Sequence, residues 1–227
     1  MPKRKTPDGD QPELSLDSTP TPAPSPELAE PATAEETREW RGRSGVAEDG
    51  FLALFAGRLE REKGIDVLLD AWEGSGVAGT LALAGQGRVR ERRWVVHLGA
   101  LGARELRGLY AAADAVVLPS IRTATFTEPW GFVVNEAMHQ GTPAIASDAV
   151  GAVAGGLVRD GRNGLVVPAG DSAALAARLR ALAENPDLRR RLGAAAHEDV
   201  APYTPEAWVR GVQAALRAVG AGRGGPG

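Results

Sequence analysis

An α/β fold built on one doubly wound parallel sheet is what this sequence predicts. Three observations carry the prediction. Short apolar runs alternate with segments of helical spacing along residues 51–219, the signature of βαβ units. The runs are apolar at consecutive positions rather than every second one, as in strands covered on both faces. Glycine, proline and charge gather directly after the runs, where open parallel sheets present their ligand-binding loops. At 227 residues the chain is long enough for one full domain of this kind.

The elements follow in order. Residues 51–56, Phe-Leu-Ala-Leu-Phe-Ala, form a strand stopped by Gly57, and a charged loop runs from Arg58 to Gly64. A helix over 65–72 carries Leu68, Leu69 and Trp72 on one side. Strands over 80–84 and 94–98 come next, with Gly85-Gln86-Gly87 after the first of them. A helix over 103–112 with Leu106, Leu109 and Tyr110 leads to a fourth strand at 115–118. Then comes Glu128-Pro-Trp-Gly-Phe-Val-Val-Asn-Glu136, a Pro/Gly loop feeding an apolar helix that Gly141 and Pro143 end. The next strand is 144–146. Leu157-Val158 and Leu165-Val166-Val167 read as further strands around an Asp160-Gly161-Arg162-Asn163-Gly164 turn. Asp171 caps a helix with Leu175, Leu179 and Leu182 at i, i+4, i+7. Pro186 restarts a helix, and Thr204-Pro205-Glu206 starts the last one. Trp208, Val212 and Leu216 line that last helix.

Before residue 46 the composition changes. Residues 1–45 hold eight of the sixteen prolines, no Val, Ile or Phe, and Trp40 as their one aromatic. Such a segment buries too little apolar surface to offset its ordering entropy. We therefore expect a disordered leader over 1–48, with 34–41 as its one short helical stretch, an ordered domain over 49–219, and a flexible glycine-rich tail over 220–227. Lys3-Arg4-Lys5 reads as a solvated terminus. The leader is acidic and the remainder nearly balanced, within a net charge of −3, so no concentrated basic face points to nucleic acid. Absence of cysteine excludes a disulfide framework and thiolate metal sites. With neither a signal-peptide pattern nor an apolar run of membrane-spanning length, a cytoplasmic protein is expected.

Chemistry concentrates in few places. Gly85-Gln86-Gly87 follows a strand, but Arg90 stands where a dinucleotide fingerprint needs its third glycine. No phosphate-loop NTPase pattern occurs either. Arg58 and Lys63 stand five apart at a strand's carboxyl end, as two solvated charges or as a clamp on a diphosphate. Glu128 and Glu136 stand eight apart, the second on an apolar helix, where a half-buried carboxylate needs hydroxyl donors such as those of a ribose. His97, His139 and His197 are scattered, and no Ser/His/Asp order supports a hydrolase.

Four blocks in series carry a resemblance. They are Arg58…Lys63-Gly64-Ile65-Asp66, then Leu109-Tyr-Ala-Ala-Ala-Asp114-Ala-Val-Val-Leu-Pro-Ser120, then Glu128-x7-Glu136-Ala-Met…Gly141-Thr-Pro-Ala-Ile-Ala-Ser147, and Asp160-Gly-Arg-Asn-Gly164-Leu-Val-Val-Pro-Ala-Gly170-Asp171. The chain over 51–219 resembles the C-terminal, donor-binding domain of GT-B glycosyltransferases, of retaining family 4 (glycosyl transferases group 1). The resemblance implies a single Rossmann-like sheet, the C-terminal half of a GT-B fold, and transfer of a sugar from a nucleotide-diphosphate sugar with retention of configuration. It gives Arg58 and Lys63 the diphosphate, Glu128 the transferring sugar, the backbone N–H groups of Gly131 and Phe132 a supporting role, and Glu136 the ribose. No metal is expected, because helix dipole and basic residues neutralise the leaving group. Family members also have an acceptor half, so a separate acceptor-domain polypeptide is an implied partner. The chain departs from the family in the short stretch Arg88 to Arg93 and in Gly155-Gly156, where a glutamate is usual. A nucleotide-sugar-binding module without catalysis, or a truncated remnant acting as an interaction protein, are the alternatives.

Overall fold

The computed structural model describes residues 26–89 and 92–221. At its centre lie six strands: β1 (Phe51–Ala56), β2 (Gly79–Ala84), β3 (Val95–Gly99), β4 (Ala115–Leu118), β5 (Ala144–Ser147) and β6 (Gly164–Val167). They pair in the order β3-β2-β1-β4-β5-β6, every pair parallel. Strand order therefore reverses between β1 and β4, as a doubly wound sheet requires. Nine helices are described: α1 (Pro26–Ala29), α2 (Ala34–Arg43), α3 (Ile65–Ser75), α4 (Ala103–Ala112), α5 (Phe132–His139), α6 (Gly151–Ala154), α7 (Ser172–Glu184), α8 (Pro186–Val200) and α9 (Pro205–Ala221).

Alternate strand residues face opposite layers. From β1, Phe51, Ala53 and Phe55 join Leu68 and Trp72 of α3 and Leu175 and Leu179 of α7. Leu52 and Leu54 point the other way, onto Trp40 of α2 and Leu109 and Tyr110 of α4. All six β1 residues are buried, which explains why the run is apolar throughout. Helix starts use the caps the sequence offers. Asp171 accepts from the Ala174 N–H at 2.8 Å and Asn185 from the Leu188 N–H at 2.9 Å.

Three expectations need correction. Residues 26–48 are not a disordered leader, because α1 and α2 pack on α4 and order precedes residue 49. Counting Val, Ile and Phe missed two anchors, Leu28 and Trp40, both buried. Polar groups do the rest. Gln140 donates to the Leu28 and Glu30 carbonyls at 2.8 and 2.9 Å, Arg41 to the Ala112 and Gly50 carbonyls at 2.9 and 2.6 Å, and Arg107 to Glu36 at 2.5 Å. A capping box between Thr33 and Glu36 closes the start of α2. Secondly, Leu157 and Val158 are buried but form no strand. Their backbone groups turn elsewhere: the Val158 N–H donates to Ala152 and the Leu157 carbonyl accepts from Asn163. At the other end α9 runs to Ala221, beyond the boundary expected for the tail. Its Trp208 and Leu216 are exposed and Val212 is half-buried. Residues 1–25 with Lys3-Arg4-Lys5, Arg90, and the tail residues 222–227 lie outside the described residues.

The 160–164 turn is anchored through Asp199. Arg162 holds that carboxylate at 2.8 and 2.9 Å, Asn163 at 2.8 Å and Arg159 at 2.6 Å. These donors, Arg162 foremost, lower its pKa from 3.8 to about 2.

Two predictions follow from this packing. Trp40→Ala is expected to cost about 3 kcal/mol and to lower the thermal midpoint by roughly 6–12 °C; a shift within error of zero would mean that α2 is not part of the folding unit. Asp199→Ala should cost on the order of 1–2 kcal/mol at neutral pH, discounted because Arg159 and Arg162 are half-exposed. Because the folded-state pKa is depressed, that contribution is full above pH 3.8 and disappears as pH falls toward 2. Chemical denaturation of both chains across pH 2–7 should show the gap closing on the acid side.

Candidate functional site

The carboxyl ends of β1 and β4 meet at the switch point, and two loops close over them. Gly57 to Gly64 follows β1, with residues 61–63 in a single 3₁₀ turn. Gly64 has φ +73°, and a Cβ there would lie 1.9 Å from the Pro119 carbonyl oxygen. Glycine alone lets this loop come so close to the end of β4. Ile121 completes the apposition by donating its N–H to the Glu62 carbonyl at 2.9 Å.

That approach seats Lys63 on Glu128. Its ammonium lies 2.5 Å from Glu128 Oε2 and 5.1 Å from the Phe126 ring centroid. Ser120 donates its hydroxyl to the same oxygen at 3.0 Å. Ser120 is itself fixed, its carbonyl accepting from the Ser147 hydroxyl at 2.5 Å. Glu128 is 7% exposed, so an unpaired charge there would be costly, and the lysine and hydroxyl offset that. The loop continues through Pro129 and Trp130 to Gly131, the residue preceding α5. Gly131 has φ +92°, and a Cβ would meet Leu118 Cδ2 at 2.5 Å and Val150 Cγ1 at 3.0 Å. No side chain caps α5, whose Val134 N–H donates to the Gly131 carbonyl at 2.9 Å, so the N–H groups of Phe132 and Val133 lack a side-chain cap at the helix start. Phe132 is half-exposed beside them.

Next to this pair a cleft of about 380 Å³ is lined by Gly57, Arg58, Gly85, Gln86, Leu101, Leu106, Tyr110, Val133 and Glu136 among others. Glu136 sits one turn into α5 and accepts from the Tyr110 hydroxyl at 2.6 Å through Oε2. Burial raises the Glu136 pKa, and the tyrosine opposes that rise. Burial, with Glu136 alongside, pushes the Tyr110 phenol well above its ordinary value, so Tyr110 is the donor in this bond. Arg58 reaches the mouth of the cleft, exposed, and pairs with Glu60 and Glu62. Exposed pairs of this kind are worth less than about 1 kcal/mol, so an incoming anion can exchange them.

The six residues singled out in the sequence thus fall on one edge of the sheet, in two subsites. Lys63, Glu128, Gly131 and Phe132 form one, and Arg58 and Glu136 border the other. Lys63 and Arg58 do not form a free clamp, since each already holds a carboxylate. Sequence reasoning missed Tyr110, Ser120, Gln86, Leu101 and Phe126. Tyr110 carried a usable signal, a tyrosine on a buried helix face whose hydroxyl must find a partner. Ser120 carried another, a hydroxyl directly after a parallel strand's carboxyl end. Among the described residues no group of three or more His, Asp or Glu side chains is arranged to hold a metal ion, and no helix is long and apolar enough to cross a membrane.

The family model "Glycosyl transferases group 1" matches residues 36–199. D-inositol 3-phosphate glycosyltransferase of Streptomyces scabiei is 35% identical over 185 residues, covering 69% of this chain and 39% of that protein. Phosphatidyl-myo-inositol mannosyltransferase of Mycobacterium leprae is 40% identical over 172 residues, covering 70% and 44%. Among solved structures, sucrose-phosphate synthase of Thermosynechococcus elongatus superposes with a TM-score of 0.72 at 28% identity, over 89% of this chain and 52% of that one. Anabaena HepE in complex with UDP-glucose gives 0.71 at 25%, over 86% and 55%. The chain spans about two-fifths of the length of the curated relatives it matches.

The Lys63–Glu128 pair makes a prediction independent of ligand. Lys63→Met leaves a buried carboxylate without its cation and should cost about 3 kcal/mol. Adding Glu128→Gln should recover most of that loss in equilibrium denaturation. If the double variant is as unstable as Lys63→Met alone, the pair is not coupled.

Proposed function

The chain belongs to the glycosyl transferases group 1 family, and from that membership we propose that it is the donor-binding half of a retaining glycosyltransferase acting on a nucleotide-diphosphate sugar. The observation that carries this reading is the division of the crevice into two carboxylate subsites joined by basic groups. Glu136 would hold the ribose hydroxyls, and the cleft between Gly57, Gln86 and Leu101 would receive the base. Arg58 and Lys63 would take the diphosphate by exchanging their present partners, helped by the N–H groups at the start of α5. Once Lys63 turns to phosphate, Glu128 would be free to accept hydroxyls of the transferring sugar. HepE, 25% identical, is a structure with UDP-glucose, which supports a nucleotide-sugar here without fixing its base.

Transfer would proceed without a metal, the positive end of α5, Arg58 and Lys63 stabilising charge on the departing diphosphate. The acceptor would enter from an acceptor half, in the same or a separate polypeptide. Retention would show as an unchanged anomeric configuration in the product of the two halves together. A binding module without transfer is the competing reading. It predicts donor binding with no product even when an acceptor half is supplied.

Thermal unfolding with UDP-, GDP- and ADP-sugars tests the donor site directly. A ligand at a hundred times its Kd adds about 2.7 kcal/mol, or roughly 5–10 °C for a domain of this size. One nucleotide should give such a shift, unchanged by EDTA and lost in Glu136→Ala. No shift with any donor would rule out a preformed donor site in this chain.

A further inference from the structure

We propose that Tyr110 is a positioning residue for nucleotide binding: its hydroxyl ties down one oxygen of Glu136 and so presents the other to the ribose. This rests on the donor-site reading above and adds to it a residue that never touches the reaction centre.

The geometry is one-sided. Tyr110 is fully buried, and its hydroxyl donates to Glu136 Oε2 at 2.6 Å. Among the described residues no other hydrogen bond reaches the Glu136 carboxylate, which stays half-exposed to the cleft it lines. Its Oε1 is therefore the oxygen left for a ligand. Tyr110 is in turn held from its backbone, where its carbonyl accepts from the buried Thr142 hydroxyl at 2.7 Å, and its ring packs with Leu52, Leu54 and Leu109. A phenol fixed this firmly sets a rotamer of Glu136 before any nucleotide arrives, which lowers the ordering cost of binding. It also favours the ionised carboxylate, against burial, which favours the neutral acid. Within reach of hydrogen bonding, Tyr110 is the one group described as facing Glu136. The other charged side chain on the cleft, Arg58, is engaged with Glu60 and Glu62.

Tyr110→Phe removes one oxygen and keeps the ring, so the packing survives. Binding of UDP, GDP and ADP would be measured by calorimetry from pH 5 to 8.5, on the wild type, Tyr110→Phe, Glu136→Ala and the double variant. The nucleotide that binds the wild type should bind Tyr110→Phe about tenfold more weakly at pH 7, the worth of one hydrogen bond to a charged group. Its 2′,3′-dideoxy analogue should bind both chains equally. Acid weakens binding as Glu136 takes up a proton, and that fall should begin at higher pH in Tyr110→Phe than in the wild type. In the Glu136→Ala background Tyr110→Phe should change nothing.

Should Tyr110→Phe fail to fold, 3-fluorotyrosine in place of both tyrosines supplies a stronger donor. It should move the acid fall to lower pH. Equal nucleotide affinity in wild type and Tyr110→Phe, equal loss for the dideoxy analogue, or an acid fall that does not move would each overturn the proposal while leaving the donor site standing. A wild type that binds none of the three nucleotides would overturn the donor reading itself, and this proposal with it.

Discussion

The parallel pairing of β1 with β4 is the constraint on which the rest of the molecule depends. It is the one place where the chain reverses its direction of winding, and so the one place where two loops from separate halves can share a crevice. Ala53 and Leu54 face Ala115 and Val116 across that seam. Backbone pairing sets the spacing of the two strands, and because they run parallel their carboxyl ends emerge side by side. Lys63 and Glu128 are 65 residues apart in sequence, yet they meet there. A glycine at 64, with no Cβ to strike the Pro119 carbonyl, turns adjacency of strands into contact of side chains.

Both carboxylates at this edge meet the same physical problem and solve it alike. Each is taken partly out of water, which disfavours its charge. Each is then compensated at a single oxygen by a hydroxyl, Ser120 for Glu128 and Tyr110 for Glu136. Only the more buried of the two has a cation as well. That difference fits their surroundings. Glu128 at 7% exposure is costly to leave charged unless a cation or other donors face it, whereas Glu136 opens onto a cleft. One compensated oxygen and one open oxygen is an arrangement suited to accepting hydroxyl groups, and a carboxylate saturated on both sides would have nothing left to offer.

How much of this could be read from the sequence depends on how local each signal was. The doubly wound parallel sheet, six of its strands and the placing of both glutamates were legible, because apolar runs and the Glu128-x7-Glu136 spacing lie within single segments. Arg58 and Lys63 were located correctly at the strand end, but their present partners were not. Glu60 and Glu62 lie next door in sequence and were passed over as loop charges, and the Lys63–Glu128 contact crosses half the domain. The leader was misjudged for a related reason. Composition sums over a segment, whereas Trp40 acts as one side chain in one pocket, and the Gln140, Arg107 and Arg41 bonds that complete the docking come from or reach far positions. Leu157-Val158 misled in the opposite way. Two adjacent apolar residues read as a strand, but Asn163 captures the carbonyl that a ladder would need.

The misjudged leader also bears on the site. Helix α4 carries Tyr110 toward Glu136 and, three residues earlier, buries Arg107, which is held by Glu36 at 2.5 Å and Glu30 at 3.2 Å. Trp40 fills the space along the same helix. Positions 107 and 110 stand three apart on α4, so they lie on neighbouring ridges of one face, and a tilt of the helix moves both. The tyrosine hydroxyl must stay within hydrogen-bond range of a carboxylate on a different helix, and such a bond weakens steeply with misalignment. The helices before residue 49 therefore pack, through Trp40, Glu30 and Glu36, on the same helix that carries the phenol, about one turn from Tyr110.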